Sequence, residues 1–145
     1  MKVGIIGLGF RLAYLVRVFS QVVPGFKVAG YVDPAPAGLP ELQKQKIDVG
    51  HSFSTLSGLL QGAEFDVLMV GSPNHLHLEH ISEGLRAGKK VFAEKPVVSN
   101  VEDSIRMAAL RGEHAPDRPI GRYRIIGRHN RSECEMAAGI AFEAS

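Results

Sequence analysis

Val3-Gly4-Ile5-Ile6-Gly7-Leu8-Gly9-Phe10-Arg11-Leu12 is the stretch on which the fold turns. Four residues able to sit in a buried strand run into two glycines, and the pattern then changes period. Leu12, Leu15, Val16 and Phe19 recur at i, i+3, i+4 and i+7, one apolar stripe on a helix. A strand, a glycine turn and a helix in that order form the opening of a dinucleotide-binding unit. Gly7 suits the tight turn, and Gly9 lets the backbone approach a pyrophosphate. Leu8 lies between them, and the N–H groups at the helix start near Phe10 and Arg11 face the anion. Leu12 occupies the third fingerprint position, where a small residue normally allows close helix–strand packing. It also belongs to the apolar stripe, so the helix is expected to stand slightly further from the sheet. A plain βα turn is the competing reading of this stretch.

Working outward, short apolar runs alternate with helical patterns, which predicts a parallel sheet covered on both faces. Pro24-Gly25 stops the first helix, and a second strand spans residues 26–32. A polar helix is predicted over 40–46, a weak strand near 47–53 and a short helix around Leu56, Leu59 and Leu60. A strand over 65–70 ends at Gly71-Ser72-Pro73-Asn74. His77, Ile81 and Leu85 share one side of the next helix, which Gly88 closes. Val91-Phe92-Ala93 forms a fifth strand before Glu94-Lys95-Pro96. Ser99 with Glu102, or Asn100 with Asp103, caps a helix reaching about Arg111. Residues 123–126 are read as a sixth strand. The fold class is therefore α/β, a Rossmann-type doubly wound sheet of about six strands, filling residues 1–127. Residues 128–145 form an atypical tail with a helix around 135–142 at most.

The composition of the 145 residues, 45% hydrophobic and 22% charged, suits one domain with a sizeable core and excludes low-complexity and disordered classes. A formal charge of +2 gives no strong attraction to nucleic acid or membranes. No apolar run reaches the length of a membrane helix, and Cys134 alone cannot form an internal disulfide. A cytoplasmic protein is the expectation. Every lysine lies at or before Lys95, whereas arginines cluster from Arg111 to Arg131. Either the end is a solvated arginine-rich edge, or the chain is truncated or altered by a frame shift; both readings stay open.

Asp33, 24 residues after Gly9, has the spacing of a carboxylate that holds a ribose 2′-hydroxyl. It would repel the 2′-phosphate of NADP, and no basic residue follows in Asp33-Pro34-Ala35-Pro36, so NAD is favoured. Asp-Pro is also a turn former. His75, His77 and His80 lack the i, i+4 spacing of zinc helices, and no metal site is assigned. His77 is either a hydrogen-bonded inward histidine or a functional one. Lys95 stands at the carboxyl end of a parallel strand, where these sheets bind ligands, and can bind a substrate oxygen or take part in proton transfer. A surface Glu-Lys pair before a turn proline is the alternative.

Together, Val3–Gly9, Asp33-Pro34, Gly71-Ser72-Pro73-Asn74-His75-Leu76-His77 and Ala93-Glu94-Lys95-Pro96 resemble the Gfo/Idh/MocA oxidoreductase family in order and spacing over residues 1 to about 110. The resemblance implies an NAD- or NADP-binding domain with Ser72, Pro73, Asn74 and His77 at the cofactor crevice. It places Glu94 on the nicotinamide side, followed by Pro96, with Lys95 binding substrate and acting in catalysis. It also implies a second domain that supplies most of the substrate pocket, a histidine for the hydroxyl proton and the oligomer interface. Nothing after Arg111 matches that continuation, and neither His114 nor His129 is assigned the histidine's role. The expected function is cofactor binding for hydride transfer to or from a sugar- or polyol-like hydroxyl carbon. The alternatives are a non-catalytic dinucleotide-binding or subunit-pairing module and a truncated product without activity. Apolar surface left by a missing second domain would favour a homo-oligomer.

Overall fold

The computed structural model describes residues 1–114. They form β1 (Lys2–Ile6), α1 (Phe10–Val22), β2 (Lys27–Val32), α2 (Leu39–Lys44), β3 (His51–Phe53), α3 (Leu56–Gly62), β4 (Val67–Val70), a 3₁₀ turn (Asn74–Leu76), α4 (His77–Arg86), β5 (Lys90–Ala93) and α5 (Val101–His114). The five strands make one parallel sheet in the order β3-β2-β1-β4-β5. The chain winds outward from β1 to β3, then returns to the other side of β1 for β4 and β5. Strand order reverses between β1 and β4, and a crevice opens there beyond the strands' carboxyl ends.

Alternation along the strands sends successive side chains to opposite faces. Ile5 and Met69, partners across β1 and β4, join Leu12, Leu15, Val16 and Phe19 of α1 in one core. Ile6, Leu68 and Val70 join Leu56, Leu59 and Ile81 of α3 and α4 in the other. The stripe predicted for α1 is buried as expected, from 0% exposure at Val16 to 5% at Phe19. Burying each such side chain contributes about 1.5–3 kcal/mol.

Local signals account for most boundaries. α1 stops before Pro24, where the Val23 N–H still reaches the Phe19 carbonyl at 2.9 Å. Gly88, with φ +72°, closes α4, and its N–H donates to Leu85 at 2.9 Å. At α5 the Asn100–Asp103 register is the one realised, since the Asn100 side-chain oxygen accepts the Asp103 N–H at 2.8 Å. β3 is shorter than the 47–53 stretch read as strand, because it pairs only from His51 to Phe53. The fourth strand starts at Val67; Phe65, buried at 3%, packs into the α3–α4 core ahead of it. The expected sixth strand at 123–126, the boundary at 127/128 and the helix at 135–142 lie outside the described residues.

Candidate functional site

Three loops at the carboxyl end of the sheet meet around a crevice of about 400 Å³. The β1 loop contributes Gly9, Arg11 and Leu12, the β4 loop Gly71, Ser72 and Asn74, and the β5 loop Glu94 and Lys95, with His77 at the back. Eight of these nine residues are site candidates from the sequence; Gly71 is the addition. The other candidates are not among its lining residues. Leu8 is fully buried and offers only its backbone, whose carbonyl accepts the Gly38 N–H at 2.9 Å. Phe10 is 75% exposed at the start of α1, and Pro73 and Pro96 are exposed loop residues.

The β1 turn is built on close backbone approach. Gly7 has φ +83°, and a Cβ there would lie 2.4 Å from the Gly71 carbonyl carbon and from the Ser72 nitrogen. Its N–H donates to the Val32 carbonyl at 2.9 Å, while Gly71 donates to Ile6 at 2.8 Å. The turn is thus pinned to β2 on one side and β4 on the other. α1 begins at Phe10 with Gly9 as its N-cap, so no side chain caps it, and its first turn holds no acidic residue. Its first N–H groups therefore lack intrahelical partners, and the space where a Cβ of Gly9 would sit is open to 4 Å. An uncapped helix start beside open space fits the pyrophosphate of a dinucleotide.

Leu12 fits this turn because Gly71 faces it: a Cβ on Gly71 would lie 2.6 Å from Leu12 Cγ and Cδ1. The size expected to push the helix outward is matched by a missing side chain on the β4 loop.

Across the crevice mouth, Arg11 Nε donates to Glu94 Oε1 at 3.3 Å, and its guanidinium lies 5.7 Å from the Tyr14 ring centre. Glu94 is the more enclosed partner, with 12% of its side chain exposed against 41% for Arg11. Lys95 is exposed beside it.

The histidines of α4 hold loops. His77, 1% exposed, brings Nε2 to 2.7 Å from the Ser72 carbonyl and Nδ1 to 2.9 Å from the Pro96 carbonyl. One turn on, His80 Nδ1 lies 2.8 Å from the Ser72 hydroxyl. Burial pushes His80 below its ordinary value of 6.5; Glu79 opposes the shift and His77 adds to it. The neutral ring accepts from the hydroxyl when its proton sits on Nε2. His80 was not a site candidate in the sequence. Its only signal there was the i, i+3 spacing from His77, which puts both over the β4 loop. Among the described residues, no group of three or more His, Cys, Asp or Glu side chains gathers as metal ligands would.

Asp33 follows β2 directly, and its Oδ1 accepts the Ala35 N–H at 2.8 Å. The turn-forming role is therefore realised, and the carboxylate stands partly exposed at the sheet's carboxyl edge. No helix among the described residues is long and apolar enough to cross a membrane.

Known proteins resemble this chain at the level of a family, of two relatives and of a solved structure. A model of the GFO_IDH_MocA group, described as an oxidoreductase family with an NAD-binding Rossmann fold, matches residues 1–115. Inositol 2-dehydrogenase 2 of Saccharopolyspora erythraea is 31% identical over 138 residues, which cover 94% of this chain and 39% of that protein. Inositol 2-dehydrogenase of Paracoccus denitrificans is 30% identical over 107 residues, 74% of this chain and 32% of that protein. The crystal structure of scyllo-inositol dehydrogenase from Lactobacillus casei with bound NAD(H) and scyllo-inositol superposes with a TM-score of 0.69 at 28% identity. It matches 80% of this chain and 34% of its own. The chain thus spans between about a third and two fifths of the length of these relatives.

Proposed function

This chain belongs to the Gfo/Idh/MocA oxidoreductase family with its NAD-binding Rossmann fold, and from that premise we propose that it is the cofactor-binding part of an enzyme moving hydride to or from a polyol- or sugar-like hydroxyl carbon. One observation carries the reading: the uncapped start of α1 and the Glu94-Lys95 pair open into the same crevice. An anion held at the helix start therefore has a carboxylate and an amine within the same enclosure. Inositol dehydrogenases among the relatives support a polyol as the substrate class.

In this reading Gly7 and Gly9 shape the backbone for the pyrophosphate, and the first N–H groups of α1 donate to it. Asp33 accepts from the ribose hydroxyls and disfavours a 2′-phosphate, which makes NAD the preferred form over NADP. Ser72 and Asn74 line the crevice from the β4 side, with Pro73 between them in the loop. Glu94 and Pro96 bound the nicotinamide end. The nicotinamide, when bound, gives or takes the hydride. Lys95 donates a hydrogen bond to the substrate oxygen and steadies charge that develops there. A reducing cytoplasmic setting and a homo-oligomeric whole protein complete the proposal.

Titration of the purified chain with NADH and NADPH, followed by cofactor fluorescence, tests it; the chain contains no Trp to interfere. Saturable NADH binding, weakened by Asp33→Ala, is the expected result. A folded chain that binds neither cofactor overturns it. Turnover of myo-inositol by the same chain would separate hydride transfer from non-catalytic dinucleotide binding.

A further inference from the structure

We propose that His77 is a positioning residue that ties the β5 loop to the β4 loop through two main-chain carbonyls, and thereby sets where Glu94 and Lys95 stand in the crevice. The inference rests on the cofactor reading above and assigns His77 a role away from direct ligand contact.

The geometry is specific. The ring is buried to 1% exposure, yet both of its nitrogens meet carbonyl oxygens, Ser72 at 2.7 Å and Pro96 at 2.9 Å. Both partners accept, so the nitrogen carrying the proton donates, and a doubly protonated ring donates to both. These carbonyls belong to the two loops that bring Ser72, Asn74, Glu94 and Lys95 to the crevice. The Ser72 hydroxyl is engaged by His80 at 2.8 Å, so the first two turns of α4 hold this residue by main chain and side chain together.

The β5 loop needs such a tie. Its sheet ladder continues only to Glu94, whose N–H donates to Val70 at 2.8 Å. Lys95 is exposed, and Pro96 has no N–H to donate. The Pro96 carbonyl is the next anchor, one residue beyond Lys95, and His77 is its partner. A phenyl ring would fill nearly the same volume without gripping either carbonyl, so packing and tethering are separable.

The test compares wild type, His77→Phe and, as a control on the same helix, Ser82→Ala. Each is titrated with NADH and with ADP-ribose, which lacks the nicotinamide, and amide hydrogen exchange is followed at Glu94 and Lys95. The expected result is a loss of about tenfold in NADH affinity in His77→Phe, with ADP-ribose affinity unchanged and faster exchange at Glu94 and Lys95 only. Equal weakening of both ligands would make His77 a general structural residue and overturn the proposal, as would wild-type values throughout. If wild type binds neither ligand, the cofactor reading fails, and exchange at Glu94 and Lys95 alone decides for or against the tie. Should His77→Phe not fold, His77→Gln, which keeps one amide donor, is measured in its place. A smaller NADH-selective loss with faster exchange at Glu94 and Lys95 supports the tie, and the absence of both overturns it.

Discussion

Leu12 and Gly71 are complementary: the Leu12 side chain occupies the space that a Cβ on Gly71 would require, at 2.6 Å from two of its carbons. The usual route to close packing at this turn is a small residue on the helix. Here the small residue is on the β4 loop, and Leu12 stays 1% exposed in the α1 core. The β1 turn therefore depends on two residues 59 positions apart in sequence.

That dependence predicts a coupled pair. Gly71→Ala is expected to destabilise the chain by about 1–3 kcal/mol through overpacking, and Leu12→Ala by about 2–5 kcal/mol through the cavity it leaves. The double variant should cost less than the sum, because the shortened side chain admits the new methyl group. Relief is partial, since that Cβ would also lie 2.9 Å from the Gly7 carbonyl oxygen. Urea unfolding of the four proteins measures the coupling, and strict additivity would refute it.

Asp33 separates into a turn role and a charge role. Asp33→Asn keeps a side-chain oxygen for the Ala35 N–H, so stability should change by less than about 0.5 kcal/mol. Removing the carboxylate should lower the preference for NADH over NADPH, whereas Asp33→Ala should lose the turn as well. Paired fluorescence titrations with the two cofactors, set beside unfolding midpoints, read the two effects apart. An unchanged cofactor ratio in Asp33→Asn would remove Asp33 from the binding role.

The Arg11–Glu94 pair is half exposed on the arginine side, so its worth to the fold is small, within about 1 kcal/mol. Its position at the crevice mouth gives it a larger effect on an anionic ligand. Arg11→Gln is expected to leave the unfolding midpoint nearly unchanged while weakening NADH binding and flattening its salt dependence. Affinity and salt slope equal to wild type would remove the Arg11 guanidinium from cofactor binding.

Features governed by local chemistry were legible in the sequence. The β1 glycine turn, the α1 stripe, the end of α4 at Gly88 and the place of Lys95 at a strand end follow from period, capping and strand-end position, whereas Ser72, Asn74, His77 and Glu94 enter the crevice set through the family resemblance. Contacts between distant segments were not. Nothing near Leu12 announces Gly71, and nothing near Arg11 announces Glu94, because pairing across loops depends on how strands are ordered in the sheet. His77 was readable as an inward histidine from its register with Ile81 and Leu85. Its two carbonyl partners, at Ser72 and Pro96, required the β4 and β5 loops to be seen side by side. β3 read weakly because its paired length is three residues, too short for alternation to show.

His80 gives the fold a pH dependence whose sign is fixed. Its folded-state value is lowered from 6.5, chiefly by burial, so below 6.5 the unfolded chain takes up the proton before the folded one does. Stability is then retained above 6.5 and declines as pH falls from there toward the lower folded-state value. The Ser72 contact does not prevent this, because a hydroxyl serves as donor or acceptor and the cost lies in charging a partly buried ring. Urea midpoints at about pH 7.5 and about pH 5.5 should therefore fall further in wild type than in His80→Gln, which carries no titrating group at that position. Equal falls in the two proteins would place the acid sensitivity elsewhere.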